Sequence, residues 1–231
     1  VFGQVGIMWT YQSYLDIVKE GMESDTIFFL RHDVDISIKK AVEMAEVEAE
    51  KKLHSTYYIL LTSPFYNAFS QDNIQRIKTI RELGMGIGLH YDPSVHDLNN
   101  DRMVSDIVQQ SRLLETYIGE LEGVSVTFHR PVMGKSIDDD LIAQLDDVNI
   151  YCPNYDDRFK YISDSGHNWR ENPHDTVEEF SMVHLNTHPI WYSHEGLEME
   201  ECLHDISLDK DADRLIQRFI NQVKMYREHV R

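Results

Sequence analysis

The chain alternates short apolar runs with longer stretches in which apolar positions recur every three to four residues. Thr26-Ile27-Phe28-Phe29-Leu30 has the length of a strand, and after a polar interval Ile38, Ala41, Val42, Ala45 and Ala49 fall at helical spacing. The unit then repeats. Ser55-Thr56-Tyr57-Tyr58-Ile59-Leu60-Leu61 is aromatic and β-branched, and residues 72–83 read as a helix that stops at Gly84, where a C-cap glycine belongs. Gly86-Ile87-Gly88-Leu89 predicts a third strand, and residues 101–119 a long helix with Val104, Ile107, Val108, Leu114 and Ile118 on one side. Residues 124–128 predict a fourth strand. Beyond Ile150 the periodicity weakens, although Met182-Val183-His184-Leu185 reads as a late strand and residues 212–226 as a terminal helix through Leu215, Ile216, Phe219, Ile220 and Val223. Strands alternating with helices predict a parallel sheet, open or closed into a barrel, whose post-strand loops gather at one face.

No repeat, low-complexity tract or proline-rich linker divides the 231 residues, so a single domain over 1–231 is expected. The formal net charge of −18, without clusters of lysine and arginine, argues against a nucleic-acid partner. Acidic runs such as Asp209-Lys210-Asp211-Ala212-Asp213 read as solvated faces. No run of about 18 apolar residues occurs, so no membrane span is expected. No signal-peptide pattern opens the chain, which points to the cytoplasm, and a first residue of valine leaves room for a longer gene product. Cys152 and Cys202 are too far apart and too dissimilar in setting for a disulfide framework or a paired-cysteine metal knuckle.

Four polar clusters fall at the carboxyl ends of predicted strands: Arg31-His32-Asp33-Val34-Asp35, His90-Tyr91-Asp92, His129-Arg130-Pro131 and His188-Pro189. In a parallel α/β architecture those loops share one crevice, so carboxylates and imidazoles distant in sequence can meet around one ion. Mixed His/Asp ligation suits zinc, with manganese, cobalt or iron as alternatives. Each cluster alone has a plainer reading. Asp35 stands where a helix N-cap would, His90 and His129 could bond backbone carbonyls, and Arg130 could cover apolar surface with its stem. The coincidence of all four favours a metal site.

Phe29-Leu30-Arg31-His32-Asp33-Val34-Asp35, Ile87-Gly88-Leu89-His90-Tyr91-Asp92, Thr127-Phe128-His129-Arg130-Pro131 and Thr187-His188-Pro189-Ile190-Trp191 resemble, in this order, the motif series of polysaccharide-deacetylase-like proteins. The resemblance covers residues 27–192 and implies the NodB-homology fold of carbohydrate esterase family 4, a distorted (β/α)7 barrel. It also implies a metal-dependent hydrolase of carbon–nitrogen bonds that deacetylates an N-acetylated amino sugar or glycan. By the same resemblance Asp33 is the general base, Asp35 and His90 are metal ligands, Arg130 orients the catalytic aspartate, and His188 protonates the leaving amine. The motif departs from the family's in its His32 and Val34, so an exchange of roles between Asp33 and Asp35 stays open. The family's second metal histidine follows the first by four residues, where this chain has Ser94. His96 and His129 are the replacements, and His129 is favoured because it ends a strand. The segment 161–170 concentrates hydrogen-bonding groups around an indole, so Asp164, Ser165 and Trp169, with Trp191, are expected to bind carbohydrate, the alternative being an ordinary polar loop with Trp169 folded onto the core and Trp191 merely packed. An O-acetyl ester or another amide as substrate, or a non-catalytic glycan-binding or assembly role on the same fold, are the alternatives.

Overall fold

The computed structural model describes residues 9–95, 99–121, 123–129, 137–153 and 156–207. The chain divides into two compact units, residues 1–197 and 198–231. The second contributes one described helix, Met199–Ser207, and the terminal helix expected at 212–226 lies outside the described residues. The seven described strands belong to the first unit: β1 Ile27–Val34, β2 Thr56–Leu60, β3 Gly86–Tyr91, β4 Val124–Phe128, β5 Ile150–Tyr151, β6 Lys160–Ser163 and β7 Met182–Thr187. They pair in parallel in the order β5-β4-β3-β2-β1-β7-β6. Helices α1 Tyr11–Glu23, α2 Ile38–Glu50, α3 Gln71–Glu82, α4 Asn100–Ile118, α5 Asp139–Asp147 and α6 Pro173–Glu179 accompany them among the described residues, with short helical turns. The result is the distorted (β/α)7 barrel expected from the sequence. Among the described residues no ladder joins β5 to β6. There Phe29 of β1 sets its ring edge-on to Tyr151 of β5 and steeply inclined to Phe159 just before β6, with centroids 6.4 Å away in each case.

Two elements differ instructively from the sequence reading. Helix α1 was not anticipated, yet its signals are local: Thr10 and Ser13 form a reciprocal capping box, and Tyr11, Tyr14, Ile17 and Val18 bury one face. Strand β1 was expected to stop at Leu30 and instead runs on through Arg31-His32-Asp33-Val34. Ladder partners continue on both flanks, with Asp33 opposite Tyr58 of β2 and His32 opposite Thr187 of β7. Polar residues persist in this strand because each finds a buried partner.

The clearest such partner is Glu48 of α2, which is 0% exposed. Its carboxylate accepts from Tyr14 at 2.5 Å, Ser55 at 2.6 Å and Tyr57 at 2.7 Å, and meets His32 Nε2 at 2.9 Å. The other nitrogen of His32 reaches Thr187 Oγ1 at 2.6 Å. One carboxylate therefore ties α1, α2, β1 and β2, and through His32 also β7, directly behind the strand ends that carry Asp33 and His188. Burial raises the Glu48 pKa, but the His32 imidazole and the surrounding donors outweigh it and hold the group below its ordinary value. A depressed carboxylate contributes stability that is present above its unfolded pKa and lost as pH falls through the folded one. Glu48→Gln is expected to cost about 3 kcal/mol at neutral pH, and the gap from the parent should narrow in acid below the usual carboxylate range. Denaturant titrations at several pH values check this, and a gap that stays constant into acid would assign the loss to packing instead of charge.

Candidate metal centre

Asp33, Asp35, His90, His129 and His188 all emerge at or just past the carboxyl ends of β1, β3, β4 and β7, the end at which parallel α/β folds assemble chemistry. Three donor atoms converge. His129 Nδ1 lies 3.2 Å from His90 Nε2, His90 Nε2 lies 3.3 Å from Asp35 Oδ1, and His129 Nδ1 lies 3.5 Å from Asp35 Oδ1. Metal–ligand bonds of about 2.0–2.1 Å in a tetrahedron separate neighbouring donors by about 3.4 Å, so the triangle has the dimensions of one face of a tetrahedral site. Asp35, His90 and His129 are the group among the described residues whose ligand atoms could hold an ion. Asp35 Oδ1 is buried and accepts no hydrogen bond of good geometry. Burial raises the Asp35 pKa, but contacts with His129 and His90 and the nearby His188 outweigh it, leaving the carboxyl well below its ordinary range. A cation fits these residues.

The plainer readings of the ligands do not describe the structure. Ser37, not Asp35, caps α2, accepting from the Lys40 N–H at 3.2 Å. His90 Nδ1 lies 2.8 Å from Thr127 Oγ1, its register partner on β4. Donation to that hydroxyl leaves the Nε2 lone pair facing the triangle, the arrangement in which a second group fixes a ligand's tautomer. His129 follows the end of β4, where its N–H donates to Tyr91 O at 2.7 Å. His96, the other replacement for the missing histidine, lies outside the described residues.

Asp33 borders the triangle, its Oδ2 3.8 Å from His90 Nε2. Among the described residues the guanidinium that grips it is that of Arg31, two residues earlier on the same face of β1. Nε donates to Oδ1 and Nη2 to Oδ2, both at 2.7 Å, and Asn186 of β7 adds a third bond to Oδ2 at 3.0 Å. The guanidinium is itself seated over the Tyr58 ring at 5.4 Å. Tyr58 in turn fills the space left by Gly88, where an added Cβ would meet the ring at 2.4 Å. Burial raises the Asp33 pKa, but Arg31, His90 and His188 overcome it and hold the group at about 2. Arg130, expected in this orienting role, lies outside the described residues.

His188 has a fixed partner as well. Its Nδ1 lies 2.5 Å from Asp164 Oδ1, and its backbone N–H donates to Asp164 Oδ2 at 3.0 Å. Nε2 then faces Asp35 Oδ2 at 3.8 Å. Burial lowers the His188 pKa, but the charge and hydrogen bond of Asp164, with Asp35 and Asp33 beyond, carry it up to about 9, so the ring is an imidazolium at neutral pH. This corrects the expectation that Asp164 binds carbohydrate: it is 0% exposed, with both oxygens committed to His188. Trp191 is likewise only 7% exposed and is set against His167, with ring centroids 5.2 Å apart, which makes it part of the packed wall. Ser165 is exposed on the turn after β6, and half-buried Trp169 lies parallel to Trp9 at 6.3 Å between centroids. Arg31, Thr127 and Asn186 were not singled out from the sequence. Their signal was positional, since each shares a strand face or register with a residue that was.

No family model and no curated protein matches the sequence. Solved structures do. A carbohydrate esterase family 4 esterase from Streptococcus mutans superposes with a TM-score of 0.54 at 13% identity, covering 90% of each chain. A family 4 pseudoenzyme from Bacillus anthracis gives 0.50 at 12% identity over 79% of this chain and 60% of its own, so this chain spans about three fifths of that protein's length. A mutant of the latter gives 0.51 at the same identity, over 79% of this chain and 62% of its own. At such identities the likeness is one of architecture, and the chain has the NodB-like deacetylase fold of carbohydrate esterase family 4.

Proposed function

We propose that the protein is a divalent-metal hydrolase that removes the acetyl group from an N-acetylated amino sugar or glycan during assembly or modification of a surface polysaccharide. The observation that carries this reading is the triangle of Asp35, His90 and His129 donor atoms, flanked by an ionised carboxylate on one side and an imidazolium on the other. Those three residues would hold the ion, with zinc the proposed metal. The ion would supply Lewis acidity, lowering the pKa of water and polarising the acyl carbonyl.

The remaining chemistry belongs to the chain's own groups. Asp33, kept ionised and aimed by Arg31 and Asn186, takes the proton from water as the water oxygen attacks the carbonyl carbon. His188 donates its Nε2 proton to the departing amine nitrogen as the carbon–nitrogen bond breaks, and Asp164 stabilises the charged ring beforehand. Acetate and a free amino sugar are the products. Ser165 and Trp169, on the segment beyond β6, are the proposed carbohydrate contacts. No helix among the described residues is long and apolar enough to cross a membrane.

The test is metal content of the purified protein and of Asp35→Ala and His90→Ala, paired with acetate release from N-acetylglucosamine oligomers and from O-acetylated sugars. About one equivalent of zinc in the parent is expected, lost in both variants, with acetate released from the N-acetyl substrates. A parent that takes up no metal from added zinc would overturn the proposal, and release from the O-acetyl substrates alone would replace the amide with an ester.

A further inference from the structure

The two carboxylates of the site are held by opposite means. Asp33 lies inside β1 and is gripped at its oxygens by Arg31 and Asn186. Asp35 lies beyond the last ladder pair of β1 and β2, Val34 with Ile59. Among the described residues its Oδ1 accepts no hydrogen bond of good geometry, and the neighbours around its carboxylate are the imidazoles of the site itself. With no donor behind it among the described residues beyond those imidazoles, the direction of this carboxylate is inherited from its backbone.

That backbone is clamped at two successive carbonyls by hydroxyls of the segment joining β2 to α3. Tyr66 Oη donates to Val34 O at 2.5 Å, and Ser63 Oγ donates to Asp35 O at 2.6 Å. Both hydroxyls are anchored in turn. The Tyr66 oxygen accepts the N–H of Leu60, the last residue of β2, at 3.1 Å, and the Ser63 oxygen accepts the N–H of Phe65 at 3.1 Å. The clamp thus joins the end of β2 to the bend that presents Asp35.

We infer that Tyr66 and Ser63 are positioning residues for the Asp35 ligand, fixing by their grip on the Val34 and Asp35 carbonyls where its carboxylate meets a divalent cation. The inference rests on the metal reading above. Groups that orient a metal ligand typically change affinity by about 10–100-fold when removed, and here the orienting contact is to main chain instead of to the ligand side chain.

The experiment is zinc affinity, by competition with a chromophoric chelator, for the parent, Tyr66→Phe, Ser63→Ala, the double variant and Ser63→Thr, with the thermal midpoint of each zinc-free protein measured alongside. Expected are a Kd for zinc raised about 10–100-fold in the double variant, smaller rises in the singles, near-parent affinity in Ser63→Thr, and zinc-free variants that remain folded at the assay temperature. Parent-level affinity in the double variant, with Asp35→Ala losing zinc, would overturn the clamp and leave the metal site standing. Affinity lost only in variants already unfolded without zinc would overturn it as a fold defect. A parent that binds no zinc would overturn both readings.

Discussion

Asp33→Asn is expected to lower the rate of acetate release by about 10²–10⁴-fold, the usual worth of a positioned general base, while the protein keeps about one equivalent of zinc. The amide has the shape of the carboxylate but cannot take a proton from water. Metal retention follows from the geometry, because the ligand triangle is made by Asp35, His90 and His129, and Asp33 only borders it. A cost in stability should accompany the loss. Arg31 is 1% exposed and would lose the anion that its guanidinium grips at both oxygens; removing one partner of a buried ion pair typically costs about 3–5 kcal/mol. Turnover should therefore be measured well below the variant's own unfolding midpoint. Parent-level turnover in a folded, zinc-loaded Asp33→Asn protein would remove Asp33 as the base, and the exchanged assignment with Asp35 would then have to explain how a ligand accepts the proton.

Asp33 also shows where the sequence was readable. A polar cluster at the end of an apolar run marks the mouth of a parallel sheet, and four such clusters carry Asp33, Asp35, His90, His129 and His188 to the carboxyl ends of β1, β3, β4 and β7. The partners of those residues were harder to see because they are set by register and strand length. Ending β1 at Leu30 hid the two-residue periodicity that puts Arg31 and Asp33 on one face and His32 on the other, toward Glu48. Had the strand been carried through, Arg31 would have been a candidate for the role given to Arg130. Asp164 was legible as a polar residue in an aromatic segment, which suggested sugar binding. Only the pairing of β6 with β7, Ser163 opposite Asn186, brings it beside His188. Tyr66 and Ser63 carry no sequence signal at all, since a hydroxyl bound to a main-chain carbonyl leaves no pattern of residue types.

The Asp164–His188 pair makes the second large expectation, Asp164→Asn. His188 can protonate a leaving amine only as the imidazolium, and its pKa of about 9 keeps it in that form across the neutral range. Burial opposes the charge, so the elevation depends on the anions around the ring, with Asp164 the foremost and the one in direct contact. The sign follows directly. A group raised above its ordinary value keeps its proton until pH climbs through the raised value, so the alkaline limb of activity should fall near pH 9 in the parent. Asparagine at 164 removes the charge while retaining a polar contact, the ring's pKa drops, and the limb should move toward acid. At neutral pH the turnover number should fall by about 10²-fold or more, because the proton donor is then largely neutral and less well oriented. Since Asp164 is 0% exposed and bonded to His188, KM should change far less than kcat. Profiles of kcat from pH 6 to 10 for both proteins decide the matter. A limb that moves with Asp164 assigns it to His188, whereas an unmoved limb in a slower enzyme would mean that Asp164 only holds the ring in place and that another group limits activity in alkali.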